Sequence, residues 1–330
     1  MKKIIPPVDS SLLEKELTEE KFLRETNVGS NFIYIITAHD SPNVMREIGR
    51  LREITFREAG GGTGKEIDID EYDTADVPFK QLIVWNNEAK EIVSSYRFIL
   101  GKEVPLDENG YPHTPTSKLF HFSNKFIEGK WQKTIELGRS FVQPKYQGTI
   151  NPRHGLFSLD NLWDGLGTLA VDYPEVNYFL GKMTMYNSYN RLARNLILFF
   201  LKKYFKGDKK LITPIHPVVG DKRKLVFRSI FQNNTYKEDF KALNDNIRDL
   251  KTTIPPLIKS YMSLSSSMRC FGASANPEFG PVEEIAIMIK IKDIHEDKKK
   301  RYINTYKGKK KNISIPKQNS KNVAKNNNVD

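Results

Sequence analysis

Cysteine is nearly absent from this sequence: Cys270 is the only one among 330 residues. A single cysteine excludes an internal disulfide and any metal site built from several cysteines. The six histidines do not recur at the spacing of metal ligands, so we expect neither a bound metal nor a permanently bound cofactor.

Long apolar runs are missing as well. The longest, at residues 196–201, has six residues, whereas a membrane-spanning helix needs roughly 18. Residues 1–7 contain no apolar core long enough for a signal peptide. Together with the lone cysteine, these absences predict a cytoplasmic protein.

Acidic charge is scarce only at one end of the chain. Residues 298–330 hold eleven of the 52 Lys and Arg residues and one of the 40 Asp and Glu residues. Most of the net charge of +12 therefore lies in a polar, Asn- and Lys-rich tail that we do not expect to fold. Such a tail can contact anionic lipid, nucleic acid or an acidic protein, or it can simply aid solubility. The rest of the chain lacks interleaved aromatic and basic residues, which disfavours nucleic acid as a partner.

Patterns of apolar residues predict alternating strands and helices. Strands are predicted over residues 31–38, 79–85, 91–100, 133–142, 176–185 and 282–291. Helices are predicted over residues 41–60, 156–173, 188–205 and 236–265, the last broken at Pro255 and Pro256. This order indicates an α/β (α+β) fold with a mixed, mostly antiparallel sheet and helices on both faces.

The chain is accordingly divided into three parts. Residues 1–30 are charged and weakly helical and are interpreted as a peripheral N-terminal arm. Residues 31–296 form the folded domain, in which 101–130 lack a clear pattern and 206–235 are an irregular insertion. Residues 297–330 are the basic tail.

Two charged residues, Glu136 and Arg139, lie inside an otherwise apolar strand that ends at Pro144. A charge is rarely placed in a core strand unless it is paired or has a function. Strand alternation places residues three apart on opposite faces, but Gly138 between them permits a bulge that turns both toward one cavity. We predict that this strand carries the centre of an active site.

A set of six charged residues from a helix, a loop and two strands extends this prediction: Arg52, Asp70, Asp73, Arg97, Glu136 and Arg139. One interpretation is a buried ionic network that orders the acidic loop onto the sheet. The other is a pocket whose arginines hold a substrate carboxylate and whose glutamate accepts a proton from an amine. The two interpretations are compatible, since a pocket network must also be satisfied.

Three other features are interpreted as structural. Residues 60–65, GGGTGK, fail the phosphate-loop pattern, because Ala59 and Glu66 occupy the positions of its first glycine and its Ser or Thr. A helix cap and loop explain this run better. His154 is near the predicted site but has no metal-ligand spacing, and Cys270 has no assignable base.

Several short motifs resemble the signature of the acyl-homoserine-lactone synthases, which are acyltransferases of the GNAT fold. They are Arg52-x-x-x-Phe56, DEYD at 70–73, Arg97, and ELGRSFV at 136–142. The chain departs from that family in its greater length and in residues 60–64, which replace an expected tryptophan. The blocks at 254–264 and 270–280 instead resemble the ornithine-lipid and glycine-lipid N-acyltransferases, which are often labelled hemolysin-like.

The resemblance implies a GNAT-like fold and an N-acyltransferase. The implied reaction moves a long fatty acyl group, with or without a 3-hydroxyl, from acyl carrier protein to the α-amine of glycine or ornithine. This would be the first step of aminolipid synthesis, with acyl-phosphopantetheine as co-substrate. Two alternatives stay open: a lactone-type signal synthase that accepts S-adenosylmethionine, and a non-catalytic, basic nucleic-acid-binding protein.

The resemblance also implies roles for individual residues. Strands 133–142 and 176–185 would part to admit the thioester arm, and Glu136 and Arg139 would be catalytic. Substrate binding is assigned to Arg52, Phe56, Asp70, Asp73 and Arg97. Acyl-donor binding is assigned to Ser140, Phe141, Val142, Gln147 and Gly148.

Two further expectations concern partners. A degenerate turn at 149–155 follows Gln147 and Gly148, and this favours acyl carrier protein over coenzyme A, because the carrier arm has no adenosine pyrophosphate to bind. Residues 195–205 and 178–185 could line an acyl tunnel. Lys202 and Lys203, with the basic tail, permit a peripheral contact with the membrane.

Overall fold

The structure, a computed structural model, describes residues 1–148, 152–221, 223–233 and 235–309, with the backbone alone for 152–156. The strands are β1 Phe22–Glu25, β2 Phe32–Ile36, β3 Lys80–Asn86, β4 Glu91–Leu100, β5 Phe120–Phe122, β6 Thr134–Val142, β7 Tyr178–Tyr186, β8 Ile212–Pro214, β9 Arg269–Asn276 and β10 Val282–Lys290. The helices are α1 Ser10–Glu16, α2 Pro42–Ala59, α3 Glu71–Thr74, α4 Asn124–Gly129, α5 Pro152–Asp172, α6 Arg191–Tyr204, α7 Lys224–Ile230, α8 Tyr236–Asp249, α9 Pro256–Met262 and α10 Glu296–Lys298.

Eight of these strands form one mixed sheet. Its order is β1-β2-β3-β4-β6-β7-β10-β9, and every neighbouring pair is antiparallel except β6 with β7. β5 and β8 form a separate two-stranded ribbon. The predicted mixed, mostly antiparallel sheet is therefore confirmed.

Side-chain alternation along the strands divides the core into layers on the two faces of the sheet. Ile33 and Leu82 belong to a cluster that packs beneath α5 and α6, whereas their neighbours Tyr34 and Ile83 belong to a cluster beneath α2. Full burial of one such side chain stabilises the fold by about 1.5–3 kcal/mol. Helices on both faces follow, because each face of the sheet carries its own row of apolar side chains.

α2 begins and ends as its sequence predicts. Ser41 precedes Pro42 at the first helical position, and Gly60 ends the helix in the left-handed conformation at φ +95°. The carboxylate of Glu53 accepts hydrogen bonds from the N–H groups of Thr63 and Gly64 at 3.1 and 2.7 Å. Residues 60–64 are thus a helix cap and a fixed loop, as the failed phosphate-loop pattern indicated.

Several elements differ from the predicted ones. β1 lies within the segment predicted as an arm and pairs with β2 at the edge of the main sheet. The two segments without clear pattern contribute β5 and β8, which pair with each other. β9 was not predicted as a strand. The helical segment at 236–265 is confirmed as α8 and α9 on either side of a break that includes Pro255.

A third apolar cluster includes residues from the segment between β4 and β6. Phe122, Phe126 and Trp131 pack there against Leu180 of β7. This segment is therefore folded rather than a simple loop, and it holds Thr116 next to the sheet. None of the described helices is long and apolar enough to cross a membrane. Most of the predicted tail, from residue 310, lies outside the described residues.

Candidate active site

The central strands β6 and β7 part soon after they begin. Within the described chain they pair at only three positions, from Thr134 with Tyr178 to Glu136 with Leu180. Both strands continue for six more residues without pairing to each other. The predicted gap between them is present.

A bulge in β6 lies beside this gap. Arg97 of β4 pairs with Gly138 and Ser95 pairs with Phe141, so β6 has one residue more than β4 in this interval. Arg139 takes up the extra length in the left-handed region, at φ +48°, which a non-glycine residue rarely adopts. With this bulge, Glu136 and Arg139 both line one cavity, as predicted.

The cavity, of about 210 Å³, passes through the sheet. Its wall includes Tyr96 and Met183, which belong to the cluster beneath α5 and α6. It also includes Glu136, Arg139 and Lys182 from the region of the opposite face. The N-terminal end of α9, at residues 255–258, lies at its border. A ligand in this gap would contact strand backbone on two sides.

The predicted arginines form a buried ionic network. Arg52 donates to Asp73 at 2.9 Å, and Arg97 donates to Asp70 at 2.7 Å and to Asp73 at 3.2 Å. The side chains of Arg52 and Asp73 are fully buried. Gln81 accepts from Arg52 at 2.7 Å and donates to Asp73 at 3.0 Å.

Arg139 joins the same network at its border. Its Nε lies 2.8 Å from Asp68 Oδ2, and its guanidinium lies 4.3 Å from the ring centroid of Phe279. Its side chain keeps 18% of its exposure, against 2% for Arg97. The third acid of the network is therefore Asp68, whereas Glu136, which was grouped with these arginines from the sequence, makes no ion pair with a described residue.

The charged groups of the network, together with burial, shift one another's pKa values. Burial opposes the charge on Arg97, but Asp73 and Asp70 outweigh this effect and raise the pKa of Arg97. Burial also opposes the charge on Asp70, yet Arg97 lowers the pKa of Asp70 well below its ordinary value. For Asp68 burial is the stronger effect and raises its pKa, although Arg139 acts in the opposite direction. Each of these arginines thus lies within ion-pair distance of at least one aspartate of the network.

Glu136 occupies a different environment. Its Oε1 accepts hydrogen bonds from the N–H of Thr116 at 3.1 Å and from the Thr116 hydroxyl at 2.6 Å. Its Oε2 is buried and has no hydrogen-bond partner among the described residues. The side chain makes no ion pair with a described residue. A carboxylate held at one oxygen and free at the other can accept a proton from a bound ligand.

Lys182 of β7, which was not predicted as a site residue, is a neighbour of Glu136 in the cavity wall. Its Nζ donates to the Thr116 hydroxyl at 2.9 Å, and it has no ion-pair partner among the described residues. Burial lowers the pKa of Lys182, and the nearby charges of Glu136 and Glu284 offset part of that effect. Lys182 thus places an amine in the cavity wall, and no carboxylate of the described residues pairs with it.

A second carboxylate, Glu284 of β10, also lines the cavity. Its Oε2 accepts from the Thr184 hydroxyl at 3.1 Å, and its Oε1 accepts from Asn276 at 3.5 Å. Both oxygens of Glu284 therefore have partners, whereas in Glu136 only Oε1 does. Among the described residues, no three His, Cys, Asp or Glu side chains converge as metal ligands.

Phe56, predicted to bind substrate, lines the cavity and packs edge to face on Phe279 at 5.0 Å between ring centroids. It also packs on Phe141 at 6.5 Å. Gly61 abuts this cluster, because a Cβ at that position would lie 2.8 Å from the ring of Tyr186. The glycine-rich loop thereby fixes one wall of the gap.

Only some of the residues predicted to bind the donor line the cavity. Ser140 lines the cavity, whereas Phe141 is a core residue. Val142 pairs with Ser94, and the amide of Gln147 donates to the carbonyl of Val142 at 2.8 Å. Gly148 ends the described segment. Residues 149–151 and the side chains of 152–156, including His154, lie outside the described residues.

Cys270 is in β9 and does not line the cavity. Burial raises the pKa of the Cys270 thiol to about 11. Since the thiolate is the nucleophilic form, this agrees with the prediction that Cys270 is not a nucleophile.

Comparisons with known proteins give one family throughout. Residues 51–153 match the acetyltransferase (GNAT) domain. The chain is 55% identical over 306 residues to a glycine N(alpha)-acyltransferase of Bacteroides thetaiotaomicron, covering 93% of this chain and 91% of that protein. It is 53% identical over 306 residues to a protein of the same name from Phocaeicola vulgatus, covering 93% and 94%.

One solved structure is also similar. FeeM, an N-acyl amino acid synthase from uncultured soil microbes, aligns over 80% of this chain and 93% of that chain. The TM-score is 0.39 and the identity is 12%. At this level the alignment does not locate individual side chains.

Proposed function

This chain belongs to the family of GNAT-fold N-acyltransferases that includes the two glycine N(alpha)-acyltransferases, and on that premise we propose that it transfers a long fatty acyl group from acyl carrier protein to the α-amine of glycine. The observation that carries this proposal is the gap between β6 and β7, into which Glu136 presents a carboxylate with one free oxygen. Glycine is favoured over ornithine because both relatives carry it in their names.

The donor arm would lie in the gap between the parted strands. Beyond Glu136 neither strand has a partner on that side among the described residues, so backbone groups there are free to hydrogen-bond an extended pantetheine-like arm. A backbone N–H near the bulge at 138–141 would donate to the thioester oxygen as charge develops on it.

Glu136 is assigned as the general base. It would take a proton from the amino group of glycine as the new C–N bond forms at the thioester carbonyl. The C–S bond then breaks, and the departing thiolate takes up the proton that Glu136 accepted, which returns Glu136 to its starting state. Thr116 holds Oε1 with two hydrogen bonds, so the free Oε2 is the atom that receives the proton.

Lys182 is assigned to the carboxylate of the acceptor. Arg97 and Arg139 are the candidates for this role in the sequence, but both are already paired with aspartates. Lys182 lies in the cavity wall without an ion-pair partner among the described residues, so its amine is available to a bound carboxylate. Binding of a carboxylate would also favour its charged form, which burial disfavours. Arg52, Arg97 and Arg139 then order the loop at 68–73.

Acyl carrier protein is proposed as the donor because of the sequence that follows Gly148. The turn after Gly148 is degenerate compared with that of enzymes that bind the pyrophosphate of coenzyme A, and a carrier arm does not require it. The product, an N-acyl amino acid, would be the first intermediate of an aminolipid.

The test is a direct assay of the purified full-length chain. Palmitoyl and 3-hydroxypalmitoyl carrier protein are each offered with glycine, ornithine, serine, lysine or S-adenosylmethionine, and products are read by mass spectrometry. We expect N-acylglycine, formed faster from the carrier protein than from the matching coenzyme A thioester. A lactone from S-adenosylmethionine would support signal synthesis instead, and absence of every N-acyl product would overturn the proposal.

A further inference from the structure

A second cavity, of about 580 Å³, lies between α6 and α7, and its wall shares no residue with that of the gap between β6 and β7. Its floor is aromatic: Phe199 stacks on Phe231 and packs edge to face on Phe227, each with 5.7 Å between ring centroids. Its wall contains basic side chains from both helices and from the chain after α6, namely Lys202, Lys203, Lys206, Lys224 and Arg228.

Apolar side chains protrude into solvent beside this cavity. Val219 is 88% exposed, and Leu225 and Val226 on α7 are 77% and 53% exposed. Their neighbour Phe227 is buried, so α7 packs by one side and presents aliphatic groups on another. Large apolar side chains grouped on a surface usually mark a place where something docks.

Most of the basic side chains here are not neutralised by the protein. Lys203 is held by Asp239 at 2.5 Å. The other four (Lys202, Lys206, Lys224 and Arg228) have no ion pair or hydrogen bond with a described residue. The acid in the cavity wall, Asp221, is taken up by Arg223 at 2.6 Å. Positive charge therefore accumulates around the protruding aliphatic groups.

We propose that this basic aliphatic patch, consisting of Val219, Leu225, Val226, Lys202, Lys206, Lys224 and Arg228, docks on an anionic lipid surface. The aliphatic groups would enter the interface between head groups and acyl chains, and the four cations would contact lipid phosphates. This assigns the membrane contact to α7 rather than to the apolar residues of α6, because Ile197, Phe200 and Leu201 are buried in the core. The proposal goes beyond the chemistry in the gap and does not depend on the acceptor or the donor.

The alternative occupant is an acidic protein, such as the proposed carrier. It would explain the four cations as well as a lipid surface does. It does not account equally well for Leu225 and Val226, which protrude beside the cavity and do not line it. A lipid interface accepts protruding aliphatic groups without any matched pocket.

The test is sedimentation of the full-length protein with vesicles. Vesicles of phosphatidylcholine alone are compared with vesicles that also contain phosphatidylglycerol, at low and high salt. The patch is altered in two double variants, Leu225→Ser with Val226→Ser and Lys224→Gln with Arg228→Gln. The matched control is Leu12→Ser with Lys15→Gln, since both residues are exposed on α1.

We expect the unaltered protein to bind the anionic vesicles and to lose binding as salt rises. Each double variant should lower the partition coefficient by about 10-fold or more, while the control matches the unaltered protein. N-acylation with soluble carrier protein and glycine should be unchanged in both patch variants, which separates this proposal from the catalytic one.

Three results would overturn the proposal. The first is no binding of the unaltered protein to anionic vesicles at low salt. The second is binding that both patch variants retain, which would locate the contact elsewhere, including the basic tail. The third is normal vesicle binding by the patch variants together with a raised Km for acyl carrier protein, which would assign the patch to the carrier.

Discussion

The Glu136 carboxylate and the Lys182 amine, on neighbouring strands that have just parted, share the hydroxyl of Thr116. Lys182 Nζ donates to that hydroxyl at 2.9 Å, and the hydroxyl donates to Glu136 Oε1 at 2.6 Å. The direction follows from the carboxylate, which can only accept: the hydroxyl gives its one proton to Glu136, and its oxygen accepts from Lys182. One threonine thus holds a proposed base and a proposed anion-binding group at a set separation across the gap.

Glu136→Gln tests the base. The amide keeps the size of the side chain but accepts a proton poorly, so we expect kcat to fall about 10²–10⁴-fold with little change in the Km for glycine. Steady-state kinetics measure both constants, and the melting temperature of the variant shows whether it folds. Glu284→Gln is the companion variant: full turnover in Glu136→Gln with loss in Glu284→Gln would move the role to the second carboxylate.

Lys182→Met tests the anion-binding group. If Lys182 holds the acceptor carboxylate, the variant should raise the Km for glycine about 10-fold or more, whereas glycinamide, which has no carboxylate, should be used about as well as before. Lys182→Arg should recover part of the glycine activity. An equal loss with glycine and glycinamide would contradict the assignment and indicate a role in the reaction step or in packing.

Arg52→Met tests the buried network. Removal of one partner leaves Asp73 buried with an incomplete set of partners, and breaking a buried ion pair costs about 3–5 kcal/mol of unfolding free energy. Urea unfolding followed by tryptophan fluorescence measures the loss. The control is Lys102→Met, because Lys102 pairs with Glu175 where both side chains are exposed, and such a pair contributes little. Similar stability of the two variants would show that the network does not hold the loop.

Asp70→Asn tests the pH dependence of the same network. The pKa of Asp70 is lowered in the folded protein, so its stabilising effect is complete above its unfolded pKa, near ~3.9, and is lost as the pH falls through the folded pKa. The variant should be less stable than the unaltered protein by about 2 kcal/mol at neutral pH, and the difference should shrink below about pH 4. Thermal melts across that range measure it, and a difference independent of pH would refute the ionic explanation.

The sequence predicts the centre of the site well because of one physical rule. A charge in an apolar strand is costly, so Glu136 and Arg139 stand out from their neighbours. The predicted bulge that reconciles them is present, but Arg139 and not Gly138 takes the left-handed conformation. The same rule applies to Lys182 in β7 and to Glu284 in β10. Those two residues could have been found from the sequence alone.

Other parts of the site depend on contacts that the sequence does not encode locally. Thr116 reaches Glu136 because its segment is folded, in part through the pairing of β5 with β8 some 90 residues later. The choice of Asp68 as the partner of Arg139 depends on the path of the loop before α3. Nothing in the spacing of Asp68, Asp70 and Asp73 indicates which acid meets which arginine.

The early parting of β6 and β7 has a consequence for association between molecules. A row of unpaired peptide groups invites another strand to add to it, and proteins commonly guard such rows with charged side chains. Here the open row lies in the middle of the sheet instead of at its margin, with Glu136 and Lys182 beside it and the start of α9 at its border. The unpaired backbone is therefore accessible to a narrow ligand but is not exposed at a sheet edge, where a strand of another molecule could pair with it.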